Sequence, residues 1–94
     1  MSDTKLIGML ITRLRQLIHV HSVLYYYYHR PVVSDSTWDG WSNELLKLQA
    51  AYPSFVNGWY EPELFHDWTG DTGMHLPPTA YTDAFIKALD ERQT

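Results

Sequence analysis

The chain has 94 residues, 45% of them hydrophobic and 19% charged, with a formal net charge of −4 and no cysteine. That length supports one domain with one modest core, and so high an apolar share is not a disordered composition. The absence of cysteine excludes disulfides and thiolate metal sites, and the acidic balance argues against duplex DNA, which needs a basic face to displace counterions. No apolar run approaches the roughly 20 residues of a membrane span. The opening Met1-Ser2-Asp3-Thr4-Lys5 lacks the basic-then-apolar pattern of a secretory signal, so a cytoplasmic protein is expected. A domain this small often gains stability by self-association, which keeps a homo-oligomer within expectation.

The first predicted element is a long helix over 4–29, capped by Asp3 or Thr4. Leu6, Leu10, Leu14, Leu17, Leu24 and Tyr28 recur at three- and four-residue steps and make its apolar stripe. Ile7, Ile11, Ile18 and Val20 widen that stripe, so burial on more than one side is expected, with Arg13 and Arg15 on the wetter faces. Pro31 disfavours helical geometry at Arg30 and should stop the helix there. After a short Val32-Val33 link, a second helix is expected from Ser34 or Asp35 to Ala51, with Trp38, Trp41, Leu45 and Leu48 inward and Pro53 beyond its end. Ser34 and Asp35 are good caps, and the acidic Asp35 and Asp39 suit the positive end of a helix.

Residues 53–78 are rich in Gly, Pro, Asp and Trp and show little periodicity beyond a helical turn over 61–66; 68–73 reads as a loop. Pro77, Pro78 and Thr79 lead into a last helix over 79–91, with Tyr81, Phe85, Ala88 and Leu89 inward. The expected fold is all-α: a single domain over 1–94 in which an antiparallel helical hairpin is followed by a loop-rich segment and a C-terminal helix. The antiparallel hairpin follows from the short connection between Arg30 and Ser34.

Aromatic residues make up 15% of the chain, with 7 Tyr, 4 Trp and 3 Phe. The consecutive tyrosines 25–28 fan out about 100° apart on a helix and cannot all enter one core. Tyr28 continues the apolar stripe; Tyr25 shares a polar face with His21 and His29; Tyr26 points elsewhere, near Arg30. An amphipathic helix whose tyrosine hydroxyls reach water is one account of this pattern, and a ring platform for a base or nicotinamide is the other. Asp35 and Asp39, four residues apart, share a helical face, and Trp38 lies one turn from Ser34. A hairpin would bring that face beside Tyr25 and Tyr26. Two rings edged by carboxylates suit a flat, hydrogen-bonding, partly cationic ring; plain helix capping is the competing reading.

No other chemistry is spelled out. His19, His21, His29, His66 and His75 have no metal-ligand spacing, so no metal is expected. There is no recognisable nucleophile elbow, and Gly70–Gly73 is too short for a P-loop, leaving an ordinary turn or a small nest of amides.

Leu14-Arg15, Leu24-Tyr25-Tyr26, Pro31, Ser34-Asp35, Trp38-Asp39, Glu44-Leu45, Leu48 and Pro53 form one co-linear series. It resembles the N-terminal Ia domain of NAD-dependent DNA ligases over about residues 10–55, with 53–78 divergent. The resemblance implies a helical module that closes over NAD and binds its nicotinamide mononucleotide half. It implies that Tyr25 and Trp38 sandwich the nicotinamide, that Tyr26 fills a position held by Tyr or His, and that Asp35 and Asp39 hold the carboxamide and ribose. The ligand's phosphate needs a cation, for which His29 and Arg30 are the nearest candidates. Trp38 departs from the family's usual Tyr, which keeps stacking and loses a hydroxyl. No Lys-x-Asp-Gly nucleophile occurs, so no catalytic residue, no enzyme activity and no resident cofactor are expected.

The stretch 70–77, Gly-Asp-Thr-Gly-Met-His-Leu-Pro, is similar to small ligase-like proteins of bacteriophages and implies a phage protein acting in the host cytoplasm. Two functions are consistent with this. One is non-catalytic binding of a small-molecule nucleotide (nicotinamide mononucleotide, NAD or an ADP-ribose derivative), which in a phage would sequester an NAD-derived host immune signal. The other is a protein-interaction module that uses the Ia scaffold to engage a host ligase or replication protein.

Overall fold

The computed structural model describes residues 2–55, 60–65, 68–70 and 76–93. Helices α1 (Ser2–Tyr26) and α2 (Asp35–Ala51) are followed by a 3₁₀ turn (Pro53–Phe55), the short helix α3 (Pro62–Phe65) and α4 (Ala80–Gln93). No strand occurs among the described residues, as an all-α fold requires.

α1 ends at Tyr26, earlier than the expected 29. Tyr27 N–H still bonds to Val23 C=O at 2.9 Å, but His29 adopts a left-handed backbone (φ 52°) and Arg30 N–H turns back to Leu24 C=O at 2.9 Å. The reversal at His29 therefore ends the helix before Pro31 can act. α2 starts where expected: Ser34 is extended (φ −72°, ψ 158°) and its Oγ accepts a bond from Thr37 N–H at 3.2 Å. The two helices are antiparallel. Near the link, Trp38 Nε1 donates to Ser22 Oγ at 3.1 Å; toward the far end, Arg15 meets Gln49.

Between them lies the main core of Ile11, Leu14, Ile18, Leu45, Phe65, Trp68 and Leu76. A second cluster, Val23, Leu24 and Ile86 with Leu89, seats α4 along the C-terminal half of α1. α1 is thus buried on two faces, as its broad stripe suggested, with Ile11, Leu14, Ile18, Val20 and Leu24 inward as expected but the two ends of the stripe outside. Leu6, Leu10 and Tyr28 are exposed at 55%, 53% and 44%. Arg15 pairs with Gln49, close to the end of α2, so the first turns of α1 run past their partner, and Tyr28 lies beyond the helix altogether.

Arg15, expected in water, is wholly buried. It sits between Ile11 and Ile18 on the face toward α2, and a guanidinium is admitted there because its donors find acceptors. Nε and Nη2 donate to Gln49 Oε1 at 3.1 and 2.8 Å, Nη1 donates to Tyr60 C=O at 3.0 Å, and the guanidinium lies 5.6 Å from the Phe65 ring centroid. Gln49 Nε2 in turn donates to Phe65 C=O. Burial lowers the Arg15 pKa to about 10, which leaves it charged at neutral pH.

His19, also wholly buried, bonds at both ring nitrogens. The Pro77 carbonyl, 2.7 Å from Nε2, only accepts, so Nε2 carries the proton and Nδ1 accepts from Tyr60 O–H at 2.8 Å. The inward face of α4 differs from expectation as well. Thr82 and Ile86 are buried and Phe85 and Leu89 half-buried, while Tyr81 and Ala88 are exposed. Reciprocal bonds between Thr79 and Thr82 set the first turn, and Tyr81 instead meets Tyr60 edge-on at 5.4 Å. The expected turn over 61–66 is α3; His66 and His75 and most of the 70–73 loop lie outside the described residues.

Candidate ligand cleft at the hairpin tip

Where α1 ends and α2 begins, the chain encloses a cleft of about 260 Å³. α1 supplies His21, Ser22, Tyr25 and Tyr26; the link supplies Pro31, Val32, Val33 and Ser34; the first turns of α2 supply Asp35, Trp38 and Asp39. Tyr25, Tyr26, Asp35, Trp38 and Asp39, singled out from the sequence, therefore line one cavity. His29 and Arg30 do not line it. His29 is exposed in the reversal, and Arg30 Nη1 lies 2.9 Å from Asp90 Oδ1 on α4.

The rings differ in how firmly they are held. Trp38 is half-buried, packs on the main core, meets Trp68 edge-on at 5.9 Å and is fixed by its bond to Ser22. Tyr25 is 45% exposed and meets Tyr26 edge-on at 4.9 Å. One wall is anchored and the other reaches toward solvent. Asp35, in the first turn of α2, and Asp39 are both exposed.

His21 and Ser22 were not singled out as site residues. The signal was their spacing: each stands one helical turn before Tyr25 or Tyr26, on the same face. His21 lies 5.3 Å from the Trp41 ring and 6.3 Å from Phe85 by centroid. Burial holds its pKa below the ordinary histidine range, and its Nδ1 is buried with no hydrogen-bond partner among the described residues.

The cleft thus presents ring faces, hydroxyls and two carboxylates. Such a lining attracts a planar group with positive character through the ring quadrupoles and the acidic charges together. No grouping of His, Asp and Glu fit for a metal ion occurs among the described residues. A second hollow of about 330 Å³, beside Glu61, Glu63, Pro77 and Thr79, has no aromatic wall among the described residues. No helix among the described residues is long and apolar enough to cross a membrane.

Fold and site together define a small all-helical hairpin domain with a ligand-sized cleft at the hairpin tip. The chain belongs to the family described as the DNA ligase-like, N-terminal NAD+-binding domain, which matches residues 5–58. It is 32% identical to a DNA ligase of Coprothermobacter proteolyticus over a 90-residue alignment covering 87% of this chain and 14% of the ligase. A DNA ligase of Lysinibacillus sphaericus is 39% identical with the same coverage. One from Syntrophotalea carbinolica is 47% identical over 49 residues, 49% of this chain and 7% of the ligase. The chain therefore spans 14% or less of the length of these relatives. No solved structure matches it.

Proposed function

We propose that the chain binds the nicotinamide-bearing part of an NAD-type nucleotide and performs no chemistry on it. The observation that carries this reading is the convergence of Tyr25, Trp38, Asp35 and Asp39 on one cleft, in a family named for binding NAD+. In this reading Tyr25 and Trp38 stack on the nicotinamide, and Asp35 and Asp39 accept hydrogen bonds from its carboxamide and ribose. Trp38 is the preorganised half and Tyr25 the half that closes. A purely binding role is supported by the lysines: Lys5, Lys47 and Lys87 are exposed and none lines the cleft. In a phage-encoded chain such binding withholds an NAD-derived signal from the host's defence.

Titration calorimetry of the whole chain against NAD, nicotinamide mononucleotide and ADP-ribose tests the reading. The two nicotinamide ligands should bind and ADP-ribose should bind more weakly; no heat from any of the three at millimolar concentration ends it. A second reading, a module that docks on another protein, is favoured by the apolar Leu6, Met9 and Leu10, each more than half exposed near the start of α1. It predicts that Leu10→Glu abolishes partner capture from infected-cell extract and leaves the calorimetry unchanged.

A further inference from the structure

The cleft has a sign. All 7 lysines and arginines fall among the described residues, and none of them lines it. Lys5 and Arg13 lie on the N-terminal half of α1, Lys47 late in α2, and Lys87 and Arg92 on the outside of α4. Arg15 is wholly buried in its own network. Arg30 stands next to Pro31, a cleft wall, but is turned to Asp90 at 2.9 Å. His21 brings no positive charge at neutral pH, because burial favours its neutral form. Against this, Asp35 and Asp39 put two carboxylates into the lining.

Size points the same way as charge. The cleft's roughly 260 Å³ falls below the range of about 300–1,000 Å³ usual for drug-sized ligands. That volume suits a ring and a sugar better than a dinucleotide. The term favouring an anion is the positive end of α2, but Ser34 Oγ and Asp35 already occupy that helix end.

We propose that the cleft prefers a phosphate-free nicotinamide nucleoside cation to the corresponding 5′-phosphate, and that Asp90 enforces the preference by holding Arg30 away from the cleft mouth. This rests on the nicotinamide reading above and narrows it. The pyridinium ring gains from both ring faces and both carboxylates. A 5′-phosphate brings a charge of about −1.5 to −2 toward those carboxylates with no lysine or arginine to meet it. Asp90 acts through Arg30 and touches no ligand, so it is a specificity-determining residue by position.

The test is titration calorimetry of the full chain at low salt with nicotinamide riboside and with nicotinamide mononucleotide. Wild type, Asp90→Asn and the double variant Asp90→Asn/Arg30→Gln are compared, with helix content checked by circular dichroism. Wild type should bind the riboside more tightly than the mononucleotide. Asp90→Asn should move the affinity ratio toward the mononucleotide by about two- to fivefold, the scale of an exposed ion pair, and the double variant should restore the wild-type ratio. Equal or tighter mononucleotide binding by wild type overturns the charge preference. An unchanged ratio in Asp90→Asn, or one that the double variant does not restore, overturns the role of Asp90. Binding of neither compound to wild type overturns the nicotinamide reading itself, an outcome distinct from the other two.

Discussion

Trp38 and Asp39 stand next to each other and do different work. Trp38 faces the cleft and also packs on the core, so removing its ring disturbs both. Trp38→Phe keeps a stacking face and loses the bond to Ser22; it should lower stability by about 1 kcal/mol and change nicotinamide affinity by less than threefold. Asp39 is exposed, so Asp39→Asn should leave the melting temperature unchanged. It should weaken binding by roughly tenfold, the scale of one charge-assisted hydrogen bond. Thermal melts and calorimetry on the two variants separate core from site. Arg15 is the opposite case, a charge kept for structure. Arg15→Met retains the aliphatic volume but strands Gln49 Oε1 and Tyr60 C=O. Urea denaturation should show a loss of about 2–4 kcal/mol, the scale of leaving two neutral acceptors without donors inside the fold. Leu14-Arg15 is part of the family-like series, but nothing in the sequence announced that Arg15 is buried, because its partners lie 34 and 45 residues away.

At the scale of elements, what the sequence made legible was the punctuation. Ser34 before an acidic first turn, and Pro53 after a run of apolar spacing, define α2 through local hydrogen bonding alone, and the structure agrees at both ends. Ser34→Ala removes the acceptor for Thr37 N–H and should cost about 1 kcal/mol, visible as a lower melting temperature. The cleft was legible for a related reason: a short link forces the end of α1 against the start of α2, so Tyr25, Tyr26 and Trp38 had to meet. The facing of α1 was legible only in part: Ile11, Leu14, Ile18, Val20 and Leu24 are inward, but Leu6 and Leu10 are not and Arg15 is. With Leu, Ile or Val on most sides of it, periodicity admits several inward faces, and only the positions of α2 and α4 choose among them. The phase of α4 was likewise set by the Thr79–Thr82 cap and by the contact of Tyr81 with Tyr60, which no periodicity encodes. Arg30 adjoins the link and is therefore a sequence candidate for the phosphate cation, but its pairing with Asp90 depends on where α4 docks.

Taken whole, the molecule is a hairpin with α4 laid beside it, and two expectations belong to that architecture. The first concerns chemistry. Forming an adenylate requires an activated lysine held against the nucleotide, and the three lysines are exposed on separate helices. Mass spectrometry after incubation with NAD should therefore show no covalent AMP on the chain; a stable adduct on any lysine would refute the binding-only reading. The second concerns acidity. His19 joins α1 to the Tyr60 segment and to Pro77 just before α4 through both ring nitrogens. Burial pushes its pKa below the ordinary histidine value, against the upward pull of the Pro77 carbonyl and Glu61, and burial lowers that of His21 as well. Well above pH 6.5 these rings are neutral in the folded and unfolded chain alike. Below it the unfolded chain takes up protons that the folded chain resists, so stability falls as pH falls. The melting temperature should drop between pH 7 and pH 5.5. His19→Gln, which can still donate to Pro77 but cannot titrate, should melt lower at pH 7 and lose less on acidification. A wild-type melting temperature that holds or rises at pH 5.5 would show that the His19 staple is not what acid loosens.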